Sequence, residues 1–378
     1  MRITTVNRES EYVGKLDSVG ADGTFHLTLG SGESVALPGR QIITASFPAS
    51  EASQGPARLD LVGGDIVFGT ISGEDEIGVA LTGRTVPRIT VPLERVRVLQ
   101  FPAALKGLKE IPHLVASSGK DVVFRRLKNS VDRVLGTVDL IGPKGVTLES
   151  SLGTLPFSLS DLVAVAFSAP DESRPVQGLH AVVMGADGTR ITGILRGTEG
   201  NCLKMDTQHG FPVLLALNHI KTLYFKGGDF VFLSDLKPVK VVERPYIDGM
   251  VWRYRADRTP LGNPLHLDNI EYPKGLGVHA YCALTYDLNG KYSRFQSWIG
   301  IDDEVKTLNA HGAVEFKVLV DGRESYRSPL IRGLESPRRI HGVDLKGART
   351  LTLVVDFGDR NHCGDRADWA MAVLVKTD

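Results

Sequence analysis

The stretch VEFKVLVDG, residues 314–322, alternates apolar and polar side chains, so that Val314, Phe316, Val318 and Val320 share one face. Successive side chains of a strand point to opposite sides of its sheet, and a period of two marks a strand with one buried face. TLTLVVDFG, residues 350–358, does the same with Leu351, Leu353 and Val355. The turns DLNGKY (287–292) and LVDGRE (319–324) carry Asn-Gly and Asp-Gly, the pairs that tolerate the positive φ angles of tight hairpins. The expectation for residues 228–378 is an antiparallel sandwich with one buried face per sheet.

Before Gly228 the pattern is different and repetitive. A Gly followed at +2 by an aliphatic residue opens each repeat, at Gly14, Gly69, Gly136 and Gly193, and Phe47, Phe101, Phe167 and Phe225 close them. The separations are 33, 32, 31 and 32 residues, a regularity that chance does not produce four times in register. A Pro precedes each closing strand, at Pro38, Pro92, Pro156 and Pro212, and the closing strands read IITASF, VRVLQF, LVAVAF and IKTLYF. With the strand before the Gly, each repeat holds about five short strands, a number suited to a small barrel that closes on itself. The repeats resemble Sm-like or SH3-like barrels in pattern. The domains expected are 1–55, 56–102, 119–170 and 178–227 for the repeats, followed by 228–378. Between the second and third repeats, Ala104, Leu105 and Leu108 would suit a short helix that Gly107 and Pro112 limit.

Lys and Arg number 44 and Asp and Glu number 44, so the chain lacks the basic excess of a dedicated nucleic-acid binder, and no nucleic-acid partner is expected. The densest basic stretch, Arg323, Arg327, Arg332, Arg338 and Arg339, reads as a solvated surface. No run of 18 apolar residues exists to cross a membrane, and no membrane partner is expected. MRITTVNRES lacks the apolar core of a signal peptide, and a leader already removed would fit an extracytoplasmic protein. Of the three Cys, Cys282 and Cys363 share the C-terminal domain and would pair if their Cα atoms lay within about 7 Å.

Three segments of that domain carry a specific resemblance: GLGVHA at 275–280, WIGIDDE at 298–304 and GDRADWA at 364–370. With Tyr286-Asp287-Leu288, Phe295, the VEFKV strand and Asp321-Gly322 between them, they run in the order of the NPCBM family, also called carbohydrate-binding family 51. The resemblance covers some 40 % of the chain and implies a galactose-binding-like jelly roll, glycan binding, service as an accessory to glycoside hydrolases, and a structural calcium ion in some members. Where the family often has Asp-His before Asp-Trp, this chain reads NHCGDRADWA, with His362 displaced and an Arg after Asp365. The fold class expected is therefore all-β, an array of small barrels followed by a jelly-roll sandwich.

A sugar site needs an apolar surface for the ring's C–H groups and planar polar groups for its hydroxyls. His279, Tyr281, Trp298, Asp302 and Arg366 form the candidate set for carbohydrate. Trp298, like Trp369, lies within a strand and equally suits a core position, and His279 equally suits a turn. Asp303, Asp365 and Asp368 are the candidate calcium ligands, with turn capping as the other reading. No GxSxG, HExxH, P-loop or metal-spaced Cys–His pair is present, and no catalytic residue is assigned. The expected function is non-catalytic binding of a galactose-type glycan, with the repeats as scaffold or protein-binding modules. A hydrolase hidden in the repeats, and an interaction protein whose barrels bind peptide or nucleic acid, are the alternatives.

Overall fold

The repeat glycines explain the N-terminal architecture. Each lies in the second strand of its repeat, within Tyr12–Val19, Ile66–Ile71, Ser130–Gly142 and Arg190–Glu199. A Cβ on Gly14 would stand 2.5 Å from the carbonyl oxygen of Thr28 on the facing strand, and one on Gly69 would stand 2.7 Å from that of Thr82. At Gly136 and Gly193 the clash, with Glu149 and Asp206, is closer still. In three of the four repeats the register slips just beyond the glycine, at Leu16/Ser18, Val138/Leu140 and Leu195/Gly197. A side-chain-free residue and a bulge together let one strand bend sharply. Its first half then pairs with strand one and its second half with strand three.

The structure, a computed structural model, describes all residues but 8–10, 52, 74–77, 109, 118, 129, 169–174, 248, 360–361 and 378. It is almost wholly β and divides into two units, Met1–Gly228 and Asp229–Asp378. In the first unit each repeat is an antiparallel meander whose fifth strand returns to pair with the first. A one-turn 3-10 helix separates strands four and five, at Gly39–Gln41, Leu93–Arg95, Leu159–Asp161 and Leu217–His219. Pro38 and Pro92 directly precede that turn. Pro156 and Pro212 do not: they lie within the fourth strands Gly153–Ser158 and Pro212–Ala216, so the four prolines are not equivalent. Among the described residues the fourth strand pairs with the third alone, and such an edge tolerates the missing N–H.

Repeats join through their fifth strands: Ile42–Ser46 pairs with Ile220–Lys226, and Val96–Gln100 with Leu162–Ala166. The two ladders differ in chemistry. Val98, Val122, Phe124, Ala164 and Ala166 make one of them apolar, and Leu105, Leu108 and Leu114 from the connecting segment cover it. The helix there is a single turn, Pro102–Leu105, and Gly107 follows at φ 77°. On the other ladder Ser46 and Thr222 hydroxyls lie 3.0 Å apart and the Thr44 hydroxyl donates to the Leu223 carbonyl. Those side chains satisfy one another.

The second unit is a two-sheet sandwich. Beginning at Gly275–His279, successive long strands alternate between the sheets, the winding of a jelly roll. One sheet orders Arg255–Ala256, Gly275–His279, Arg366–Lys376, Tyr292–Ile301 and Arg338–Asp344. The other orders Lys240–Glu243, Cys282–Asp287, Thr350–Phe357, Ala313–Val320 and Arg323–Arg327. Trp369 fills the space between them, 1 % exposed, with Phe316 edge-on at 4.9 Å and Phe295 at 6.1 Å. Truncating such a residue typically costs about 3–5 kcal/mol. No disulfide forms between Cys282, buried among the core residues, and Cys363, exposed in the loop before the last strand.

The bend at the second strand predicts a measurable cost. Gly193→Ala should destabilise the N-terminal unit by about 1–3 kcal/mol, because the colliding atom is backbone. Gly30→Ala, where nothing lies within 4 Å of the added carbon, should leave stability within about 0.5 kcal/mol. Urea unfolding followed by circular dichroism measures both, and equal midpoints for the two variants would show that the close approach does not matter.

Candidate functional site

At one end of the sandwich, strands Lys240–Glu243, Gly275–His279 and Thr350–Phe357 finish while Cys282–Asp287 and Arg366–Lys376 begin. The loops there enclose a cleft of about 330 Å³ lined by Glu243, Arg244, Tyr246, Trp252, His279, Tyr281 and His362, with Ile247, Met250 and Val251 adding apolar surface.

Two stacked ring pairs and one cation–ring contact build it. Trp252 lies parallel to His279 at 5.7 Å, and Tyr246 lies near-parallel to His362 at 5.6 Å, with the two imidazoles 6.3 Å apart. The Arg244 guanidinium sits over the Tyr281 ring at 5.2 Å, where the two residues exchange backbone hydrogen bonds of 3.1 and 3.3 Å. Arg366 stands opposite His279 in the ladder and lies over the Trp252 indole at 5.5 Å. Its guanidinium also pairs with Glu304 at 3.4 Å, and Glu304 is itself held by the Thr259 hydroxyl and the Asn263 amide.

His279 is 7 % exposed, and burial is the main cause that holds its imidazole below the usual pKa. The ring is neutral at pH 7. Its Nδ1 lies 2.7 Å from the Ala280 carbonyl, which can only accept, so Nδ1 carries the proton and Nε2 is left as an acceptor. A neutral acceptor between two aromatic faces suits a hydroxyl O–H.

Of the five carbohydrate candidates, the structure brings His279, Tyr281 and Arg366 to this end. Trp298 stands elsewhere, half-buried on the Tyr292–Ile301 strand under Arg339 at 5.7 Å. Asp302 is 1 % exposed and structural: its oxygens accept from the His266 and Glu304 amides at 2.8 Å each. Sequence reasoning passed over Trp252 and Tyr246, which lie in irregular segments with no periodicity to place them. It also passed over His362, set aside because it departs from the family spacing.

Asp303, Asp365 and Asp368 do not assemble into one calcium site. Asp303 accepts from the Asp268 and Asn269 amides and pairs with Lys306. Asp368 is fully buried beside Asp302, and burial first, then the Asp302 charge, pushes its pKa well above the usual carboxylate range. Among the described residues no group of three or more His, Cys, Asp or Glu is placed to hold a metal ion. The arginine-rich stretch is largely neutralised in place: Arg327 pairs with Glu324 and Glu315, and Arg338 with Glu335.

Residues 230–375 match the NPCBM/NEW2 domain family, and the C-terminal unit is an NPCBM domain. Among curated proteins, a "Putative endo-alpha-N-acetylgalactosaminidase" of Renibacterium salmoninarum is 39 % identical over 114 residues. That match covers 30 % of this chain and 7 % of the relative's length. Among solved structures, the CBM51 module of Clostridium perfringens GH95 in complex with methyl-galactose is 26 % identical, with a TM-score of 0.34 over 38 % of this chain and 99 % of that one. The CBM51-2 and INT domains of Clostridium perfringens ZmpB, with GlcNAc bound, are 22 % identical, with a TM-score of 0.36 over 59 % of this chain and 44 % of that one.

Asp365 supplies a test of the electrostatics. It is 1 % exposed and accepts from the Ala313 amide at 2.8 Å. Burial, aided by the Asp359 charge, outweighs that hydrogen bond and pushes its pKa up to about 7. An unfolded chain releases this proton near pH 4, so between about pH 4 and pH 7 the native state binds the extra proton and stability falls as pH rises. All three Trp residues lie in this unit, so tryptophan fluorescence follows its unfolding. Asp365→Asn should unfold in urea with a shallower decline across that window than the parent, and identical slopes would count against the raised pKa.

Proposed function

We propose that the C-terminal unit holds the pyranose end of a galactose-type glycan in this cleft, and that it does so without cleaving it. The observation that carries the reading is the convergence of two stacked ring pairs and the Arg244–Tyr281 contact on a single cleft. A pyranose presents a C–H face and a rim of hydroxyls. Trp252 and Tyr246 offer surfaces for the first, and His279 Nε2 offers an acceptor for the second. Stacking locks these rings before any ligand arrives, which lowers the entropy lost on binding. The NPCBM/NEW2 match supports the reading.

Glycoside cleavage needs two carboxylates astride the scissile bond. Among the described residues that line the cleft, Glu243 is the one carboxylate, and it is spent on Arg253 at 2.9 Å and on the Tyr254 amide at 2.6 Å. In this reading the four repeats act as scaffold or as protein-binding modules, and any hydrolysis belongs to a separate enzyme that the module accompanies.

Calorimetric titration of the full chain with galactose tests the reading. Trp252→Ala should weaken binding by about tenfold, the value of one aromatic platform. Trp298→Ala, outside the cleft, should leave the affinity unchanged. If Trp298→Ala is the damaging change and Trp252→Ala is silent, the cleft is not the site.

A further inference from the structure

The cationic groups around the cleft are not equivalent. Arg253 is taken up by Glu243, and Arg366 by Glu304. Glu243 has a side chain 2 % exposed and is engaged by Arg253 and the Tyr254 amide. His279 is neutral at pH 7. Arg244, by contrast, is exposed at the lip, and its guanidinium meets only the face of Tyr281. Among the described residues no carboxylate or carbonyl accepts from it.

Stacking uses the flat face of a guanidinium and leaves its in-plane N–H donors on the edge. At Arg244 the Tyr281 ring lies beneath the guanidinium, the backbone exchange with Tyr281 fixes the base of the side chain, and the residue lines the cleft. The result is a cation at the cleft with N–H donors that no described carboxylate takes up. A neutral hydroxyl would satisfy one such donor. A carboxylate or sulfate satisfies two at once and is matched in charge, at about twice the strength per bond.

We propose that the cleft prefers a hexose bearing an acidic substituent, a carboxylate or a sulfate ester, and that Arg244 is the residue that recognises it. The inference rests on the glycan-binding reading above and narrows its ligand class.

Titration of the full chain with galactose, galacturonic acid and galactose 6-sulfate, at low and at high salt, tests it. At least one acidic sugar should bind about fivefold or more tighter than galactose at low salt, and added salt should narrow the gap. The two acidic sugars separate a carboxylate from a sulfate as the group recognised. Arg244→Gln should erase the preference, so that in this variant the acidic sugars bind within about twofold of galactose. If galactose binds and neither acidic sugar gains, or if the gain survives in Arg244→Gln, the inference is overturned and the glycan-binding reading stands. If none of the three binds, both fall.

Discussion

The ladder between Gly275–His279 and Arg366–Lys376 fixes everything at the cleft. It sets His279 opposite Arg366, and through Arg366 it ties the Trp252 indole to Glu304. A slip of one residue in the last strand would turn its side chains to the other face, taking Trp369 out of the core and Arg366 away from its place opposite His279. The register is therefore held by the same burial that stabilises the sandwich. Two backbone features reinforce it. A side chain at Gly277 would collide with the Arg258 carbonyl, and Met371 adopts φ 48°. At Met371 the inward set changes from Ala367 and Trp369 to Ala372 and Leu374, so the long last strand keeps its apolar atoms on the core through a bend.

Burial also decides which charges are available. The short hairpin Leu265–Leu267/Ile270–Tyr272 contributes Leu265 and Leu267, both almost wholly buried, and Leu267 packs over Gly300 on the outer side of the first sheet. Asp302 and Asp368 are enclosed on that side, Asp302 hydrogen-bonded and both almost wholly buried rather than free to meet a ligand. Charge at the open end of the sandwich is sorted in the same way. The arginines that reach a carboxylate are neutralised, and the one stacked on a tyrosine is not.

Much of the fold was legible because it rests on periodicity. The alternation in residues 314–320 and 350–355 gave two of the central strands of the sandwich, and the spacing of Gly14, Gly69, Gly136 and Gly193 marked a position where the chain physically excludes a Cβ. All four prolines precede a closing strand, but they occupy two different places, the approach to a 3-10 turn and an edge strand, which sequence does not distinguish. The site was less legible. His279 and Arg366 were found because they sit on strands that carry the family pattern. Trp252, Tyr246 and His362 come from loops, where no period constrains a side chain and only the closed fold reveals what it faces. Trp298 was the opposite case: a plausible platform by residue type whose strand position points it away.

The order of the rings in the cleft and the engagement of Glu243, the one carboxylate among the described lining residues, have a common origin. A sandwich end is assembled from loops that are each tied to a strand terminus, so its side chains arrive in pairs across neighbouring ladders: Arg244 with Tyr281, His279 with Arg366. Such pairs satisfy one another sideways and present faces and edges outward, which is suited to holding a flat, hydroxylated ring. Acid–base chemistry instead asks for carboxylates that are kept apart and left incompletely satisfied on either side of a bond. Glu243, the carboxylate placed nearest to do this, is withdrawn to an almost fully buried position by its own neighbours, Arg253 and the Tyr254 amide. The same sideways pairing that orders the rings at this end also takes up Glu243.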